Sequence, residues 1–409
     1  MTPLPPQDPN QPQLPFPNPP ESSASSPSAA LESPSPETSP CPPFDPTLHH
    51  APASEPLLFQ SFSAYAPPDE RIPNLGHAAL LAVFALCGLL CAVLLSQVAV
   101  NFHLFGVHNM RQAADDIHYT LGTEVILYLI TLLLCLPIFP LVWHKSFFQG
   151  IHWRGQTALR NCYRLFAAAA LCFLLAMLNG VVMPGPSNAP IDRLFRTPGA
   201  AWLLFGFGVT FAPFFEELAF RGFLLPSFCT AYEWITEQVT ALTHPELIQP
   251  GKPPQHTLFA RTVADIFLAL PIFAFIPTHA VGLLPRSLFV TAWILAFGLW
   301  WVSSTLRPAS RATALVSPLD PDGHPVWSFP AMTLASIVTS VPFALMHGQQ
   351  TSYALGPFLL LIAVSIVLSA VRLFTRSLAC SVLVHASYNF LLFGFMFLGT
   401  SGFRHLDRM

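Results

Sequence analysis

Long apolar stretches separated by short polar breaks fill the chain from about residue 75 onward. A helix that crosses a bilayer needs about 20 mostly apolar residues. Nine stretches meet or approach that length: 78–104, 120–143, 163–184, 200–226, 263–284, 286–306, 331–347, 353–373 and 378–399. The 331–347 stretch is short for a span, and Pro271, Pro277 and Pro285 blur the limits of the 263–306 pair. The pattern predicts an all-α fold, a polytopic transmembrane bundle of about eight to nine spanning helices. Residues 1–74 break the pattern. Their Pro-Leu-Pro-Pro, Pro-Phe-Pro-Asn-Pro-Pro and Ser-Pro-Ser-Pro runs oppose helix and leave too few large apolar side chains for a core. This segment reads as a disordered tail, and not as a signal peptide, because no basic start precedes an apolar stretch. The chain thus divides into a tail at 1–74, a first group of membrane helices at 75–199 and a second at 200–399. The second group carries an inserted hairpin over about 233–330, with polar segments at 233–258 and 307–330 and a turn signal at Asp320-Pro321-Asp322-Gly323.

Composition agrees with a membrane protein. Of 409 residues, 53% are hydrophobic and only 10% charged, against about 25% charged in a soluble domain. The net charge of −3 gives no basic surface for nucleic acid, so none is expected as a partner. Membrane lipids are. No CxxC pair points to zinc or redox chemistry, and most of the eight cysteines lie in apolar runs, where they act as small hydrophobes. Lys145, Arg154 and Arg160, then Arg307 and Arg311, then Arg372 and Arg376 mark three basic connections. With nine spans these share one side, which the positive-inside rule makes cytoplasmic.

The candidate chemistry lies inside the apolar stretches. Glu216, Glu217 and Arg221 fall in 200–226, His347 ends 331–347, and His385 and Asn389 fall in 378–399. A charged group at a bilayer centre costs about 2.5–3.5 kcal/mol on insertion scales, so such residues mark functional sites by default. Glu217 and Arg221 are four apart, share a helix face and can pair. Glu216 then points about 100° away without a local partner. Phe343 and His347 repeat the four-residue spacing, as do His385 and Asn389. Converging, these faces would surround one cavity with Glu216, His347, His385 and Asn389. That set can activate water and stabilise a tetrahedral intermediate, or hold a divalent metal through Glu216, His347 and His385. Taken singly, each piece has a plainer role: a Glu–Arg lock, an interfacial histidine, an interhelical hydrogen-bond pair, or a proton relay in a transporter.

The three motifs Glu216-Glu217-x-x-x-Arg221, Phe343-x-x-x-His347 and His385-x-x-x-Asn389, in this order, resemble those of the CPBP family. That family includes the type II CAAX prenyl endopeptidases, the Abi or bacteriocin-immunity proteins and lysostaphin-resistance-A-like proteins. The flanking runs Phe220-Arg221-Gly222-Phe223-Leu224-Leu225-Pro226 and Thr375 to Ala386 are similar too, so the resemblance covers about 200–399. It implies an intramembrane endopeptidase acting on a peptide or protein substrate, lipid-modified in the CAAX case, and a multi-pass protein of the bacterial cell membrane. By position, Glu216 is the water-activating base aided by His347. His385 and Asn389 stabilise the oxyanion, and Glu217, Arg221 and Phe343 support the site. Family chemistry is argued both with a zinc ion and without a metal, and the sequence leaves both open. A catalytically silent scaffold or immunity protein on the same fold is the alternative. The chain departs from the family in the roughly 120 residues between Arg221 and Phe343, where an extra hairpin carries its own Asp265 and His279.

Overall fold

The computed structural model describes residues 72–185, 199–248, 256–275 and 327–404, together with Gly298. Helices and turns make up these residues, with no strand among them. The main helices are α1 (Leu75–Asn101), α2 (Ile117–Trp143), α3 (Cys162–Val182), α4 (Ala200–Val209), α5 (Phe211–Glu217), α6 (Leu225–Thr243), α7 (Leu258–Phe275), α8 (Phe329–Met346), α9 (Leu355–Thr375) and α10 (Leu378–Gly399). Seven stretches among the described residues are long and apolar enough to cross a membrane: α1, α2, α3, the run from α4 through α6, α8, α9 and α10. The chain is an all-α polytopic bundle and an integral membrane protein. Of the two further expected spans, 263–284 is described only as far as Phe275, within α7, and 286–306, apart from Gly298, lies outside the described residues, as does His279.

One element differs from the sequence pattern. The fourth span was expected to end at Pro226, yet the helix continues to Thr243. Pro226 stands in the first turn of α6, where its missing N–H removes no bond within that helix. A π-helical turn, Leu218–Leu224, leads into it from α5. The polar side chains that make 233–243 look like a loop are packed inside the bundle: Glu233, Thr236, Glu237 and Thr240 are all buried.

Apolar residues all round a helix are normal where lipid is the solvent. Leu86, Leu90 and Leu94 of α1 and Leu133 and Leu141 of α2 are accordingly exposed on the outside. α8 is the enclosed element: 61% of its apolar window is buried, against 17–22% for α1, α2 and α3. It packs on α6, α7 and α9 around Val338, Val341, Ala335 and Tyr232. Phe84, Phe139, Trp143, Phe147 and Phe223 form an aromatic cluster that holds α1 and α2 against the π-turn. Two of the basic connections meet. Leu378 N donates to His152 O at 3.1 Å, Ser377 Oγ to Arg154 O at 3.1 Å, and Arg372 reaches Ile151 O at 3.5 Å. The carbonyl groups of 151–154 thus satisfy donors at the α9–α10 turn, as backbone and guanidinium groups at a bundle end require.

Candidate active site

Local breaks in the helix aim the acidic residues. α4 ends at Val209 and α5 resumes at Phe211. Pro213 cannot donate to the carbonyl four residues back and clashes with it, which accounts for the break. Asn389 Nδ2 donates to the Gly208 carbonyl at 2.7 Å and closes the gap from α10. Glu216 and Glu217 then end α5, directly before the π-turn. Such turns insert an extra residue into the helical register and are frequent at functional sites.

Glu217 is fully buried and doubly engaged. Its Oε1 accepts from Arg221 Nη1 at 2.8 Å and from His385 Nδ1 at 3.0 Å. Arg221 in turn donates Nη2 to the carbonyl and the hydroxyl of Ser365 on α9, at 2.8 and 2.6 Å. Its guanidinium lies 4.6 Å from the ring centre of Phe343. One side chain therefore ties the π-turn to α8 and α9, although Glu217 Oε2 and Arg221 Nε have no hydrogen-bond partner among the described residues.

Glu216 faces the other way. Its Oε2 lies 3.7 Å from His347 Nε2 and 3.8 Å from His385 Nε2. This oxygen is buried and accepts no hydrogen bond among the described residues. His347 is the first residue past α8, and its Nδ1 lies 2.9 Å from the Phe343 carbonyl. In both histidines Nδ1 meets an acceptor, so Nδ1 carries a proton and the ring turns Nε2 toward Glu216. Phe343 packs between them, with ring centres 5.2 Å from His347 and 5.9 Å from His385. Gly348 follows His347 with the Tyr353 ring seated where a Cβ would stand, which fixes the turn that presents the imidazole.

One carboxylate oxygen and two imidazole nitrogens thus converge on a gap slightly too wide for direct hydrogen bonds. Carboxylate and imidazole are donor types that bind zinc, but among the described residues the trio whose ligand atoms all lie within 4.8 Å of one another is Glu233, Glu237 and His256, not these three. The structure brings Glu216, His347 and His385 together. It sets Glu217, Arg221 and Phe343 behind them, and gives one amide N–H of Asn389 to the helix break.

Three participants escape the sequence motifs. Ser365 completes the Arg221 cradle. Tyr128 on α2 stacks on Phe215 at 4.5 Å. Glu124, one turn earlier on α2, lies within electrostatic range of Glu216 and lines a cavity of about 290 Å³ with Ser96, Thr120 and Thr123. A carboxylate within an apolar stretch was the available signal for Glu124. Beside α5, between α1 and α2, a second cavity of about 240 Å³ is lined almost wholly by apolar groups, including Leu81, Leu127, Phe215 and Leu218.

Comparison with known proteins adds one match. No curated protein and no solved structure matches the chain significantly. Residues 321–391 match the family described as type II CAAX prenyl endopeptidase Rce1-like. That segment holds Phe343, His347, His385 and Asn389, and it bears out the resemblance of this chain to the CPBP family, whose CAAX-protease branch the match names.

Proposed function

We propose that the chain is an intramembrane endopeptidase resembling CAAX-processing proteases, which hydrolyses a peptide bond of a membrane-associated substrate. The observation that carries this reading is the Glu216 carboxylate facing two imidazole Nε2 atoms at 3.7 and 3.8 Å, with both tautomers set from behind. A water held by Glu216 Oε2 and His347 Nε2 loses a proton to Glu216 as its oxygen attacks the scissile carbonyl. Glu217 on Nδ1 stabilises the imidazolium form of His385, as a carboxylate does behind other catalytic histidines. The proton taken by Glu216 then passes to His385 Nε2, 3.8 Å away, which donates it to the oxyanion and delivers it to the leaving amine as the C–N bond breaks, returning both groups to their starting state. The second N–H of Asn389 is the further donor for the oxyanion. If zinc is the resident ion, Glu216, His347 and His385 are the residues that would hold it, and it would supply Lewis acidity and an acidified water.

A lipid-bearing substrate is supported by the cavity beside α5, whose almost wholly apolar lining suits a hydrocarbon chain. A catalytically silent scaffold or immunity role draws on Asn389, whose bond to Gly208 serves helix packing alone. The test is cleavage by the purified chain in liposomes of a C-terminally prenylated peptide and its unprenylated twin, with and without chelator. Release of a C-terminal fragment from the prenylated peptide is expected. Failure to cut either peptide under both conditions, by protein shown to be folded, would favour the scaffold.

A further inference from the structure

α6 carries a second acid–histidine cluster, far from the first. Glu233, Thr236, Glu237 and Thr240 stand at i, i+3, i+4 and i+7, so they share one helix face, and none is more than 7% exposed. His256, just ahead of α7, brings its Nε2 to 3.6 Å from Glu233 Oε2. One ligand atom from each of Glu233, Glu237 and His256 lies within 4.8 Å of the others. At about 1.5 Å per residue, Glu233 is roughly 25 Å along the helix from Glu216, so the two clusters are separate sites.

We propose that Glu233, Glu237 and His256 bind a zinc-class divalent cation that fastens the segment between α6 and α8 to the bundle. Two carboxylates and an imidazole are a recurrent zinc donor set. Two further groups point to an occupant. The Thr240 hydroxyl, one turn beyond Glu237 on the same face, is fully buried and makes no hydrogen bond among the described residues. Asp265, on the facing helix α7, is 1% exposed, and neither of its carboxylate oxygens accepts one there. Arg261, one turn before Asp265 on α7, is the charged group within electrostatic range of it. Groups buried to this degree are almost always satisfied. Water on a cation held by Glu233 and Glu237 would donate to the Thr240 hydroxyl on the same helix face.

The position explains the purpose. Glu233 Oε1 also accepts the backbone N–H of Ser328, the N-cap of α8, and Trp327 Nε1 donates to Thr230 Oγ1 at 3.2 Å. This cluster thus joins α6, the residue just ahead of α7 and the N-terminus of α8. A cation there clamps the three, and the inference does not depend on the peptidase reading.

The test uses the full chain, purified in detergent in a His347→Gln background, which removes an imidazole from the first cluster. After equilibration with zinc chloride and desalting, elemental analysis should find about one zinc per chain, held as structural zinc is held. Zinc should also raise the melting temperature. Adding Glu237→Gln with His256→Asn should abolish both effects. Should that variant fail to fold, X-ray absorption on zinc-loaded protein carrying His347→Gln and His385→Gln decides: with no imidazole left in the first cluster, a shell of oxygens with a single imidazole supports the site. No zinc in the His347→Gln protein, zinc retained by the folded triple variant, or a metal shell without imidazole in the doubly substituted protein would overturn it.

Discussion

The clusters around Glu216 and around Glu233 are built from the same side chains at different spacings. Glu216 and Glu217 are adjacent, so they leave the helix about 100° apart. Glu217 turns inward to Arg221 and His385, while Glu216 turns to a gap bounded by His347 and His385. Glu233 and Glu237 are four apart and leave on the same side, where His256 meets them. Adjacent spacing divides the labour: the Oε1 of one carboxylate holds an arginine and an imidazole, while its neighbour faces the gap between two imidazoles without a hydrogen bond among the described residues. Four-residue spacing concentrates charge on one point, which suits holding an ion. Identical chemistry thus reads as a reactive site or a clamp according to the helical angle between two glutamates.

The sharpest way to break this division of labour is Arg221→Ala. It strips Glu217 of its charge partner, empties the Ser365 cradle and removes the cation over Phe343. Unpairing a buried ion pair costs about 3–5 kcal/mol, so little folded protein should be recovered. Wild-type yield and melting temperature in detergent would mean that Glu217 is held by something else. Glu217→Gln should be milder. The amide keeps the shape but weakens the grip on His385 Nδ1, and losing such a supporting partner costs about 10–100-fold in activity. An equal loss from Glu217→Gln and Glu216→Gln would erase the distinction between the two carboxylates.

The connection at 151–154 gives a pH test of the bundle end. Burial, with Arg372 beside it, pushes the His152 pKa from 6.5 down to about 3. Below pH 6.5 the unfolded chain therefore binds a proton that the folded chain refuses. Stability should fall as pH drops from 6.5 toward 3, with no such contribution above that window. His152→Gln should flatten the slope in melts taken across this range, and an unchanged slope would assign it to other groups. The smallest effect is expected at Glu124, which has no hydrogen-bond partner among the described residues and serves no bond that Glu124→Gln could break. That variant should melt no lower than wild type. A drop of more than about 1 kcal/mol, the net worth of a typical hydrogen bond, would show that Glu124 holds the helices together.

Local chemistry was legible in the sequence and non-local geometry was not. The Glu217–Arg221 pair follows from spacing alone, as do the limits of α1, α2, α3, α9 and α10 to within a few residues, because both depend on neighbours along one helix. The Glu217–His385 bond joins residues 168 apart. Ser365 reaches Arg221 across 144. No pattern of local spacing announces either. The passage through Pro226 into α6 was hidden because it needs a π-turn, and because Glu233 and Glu237 look like loop residues until their burial is seen. Glu124 was visible as an intramembrane acid but had no motif around it. Asn389 shares the His385 face as its spacing required, yet its bond to Gly208 answers a helix break that only Pro213 hinted at.

The central claim is that Glu216 is the base and Glu217 is not. It is tested most directly by single-turnover cleavage in liposomes with Glu216→Gln, a variant that keeps shape and hydrogen-bonding capacity while removing basicity. The account predicts a protein that folds and melts like wild type but cleaves about 10²–10⁴-fold more slowly, the contribution of a general base. Turnover close to wild type, on any peptide the wild-type chain cuts, would contradict it and leave the polar cluster as a device for packing helices.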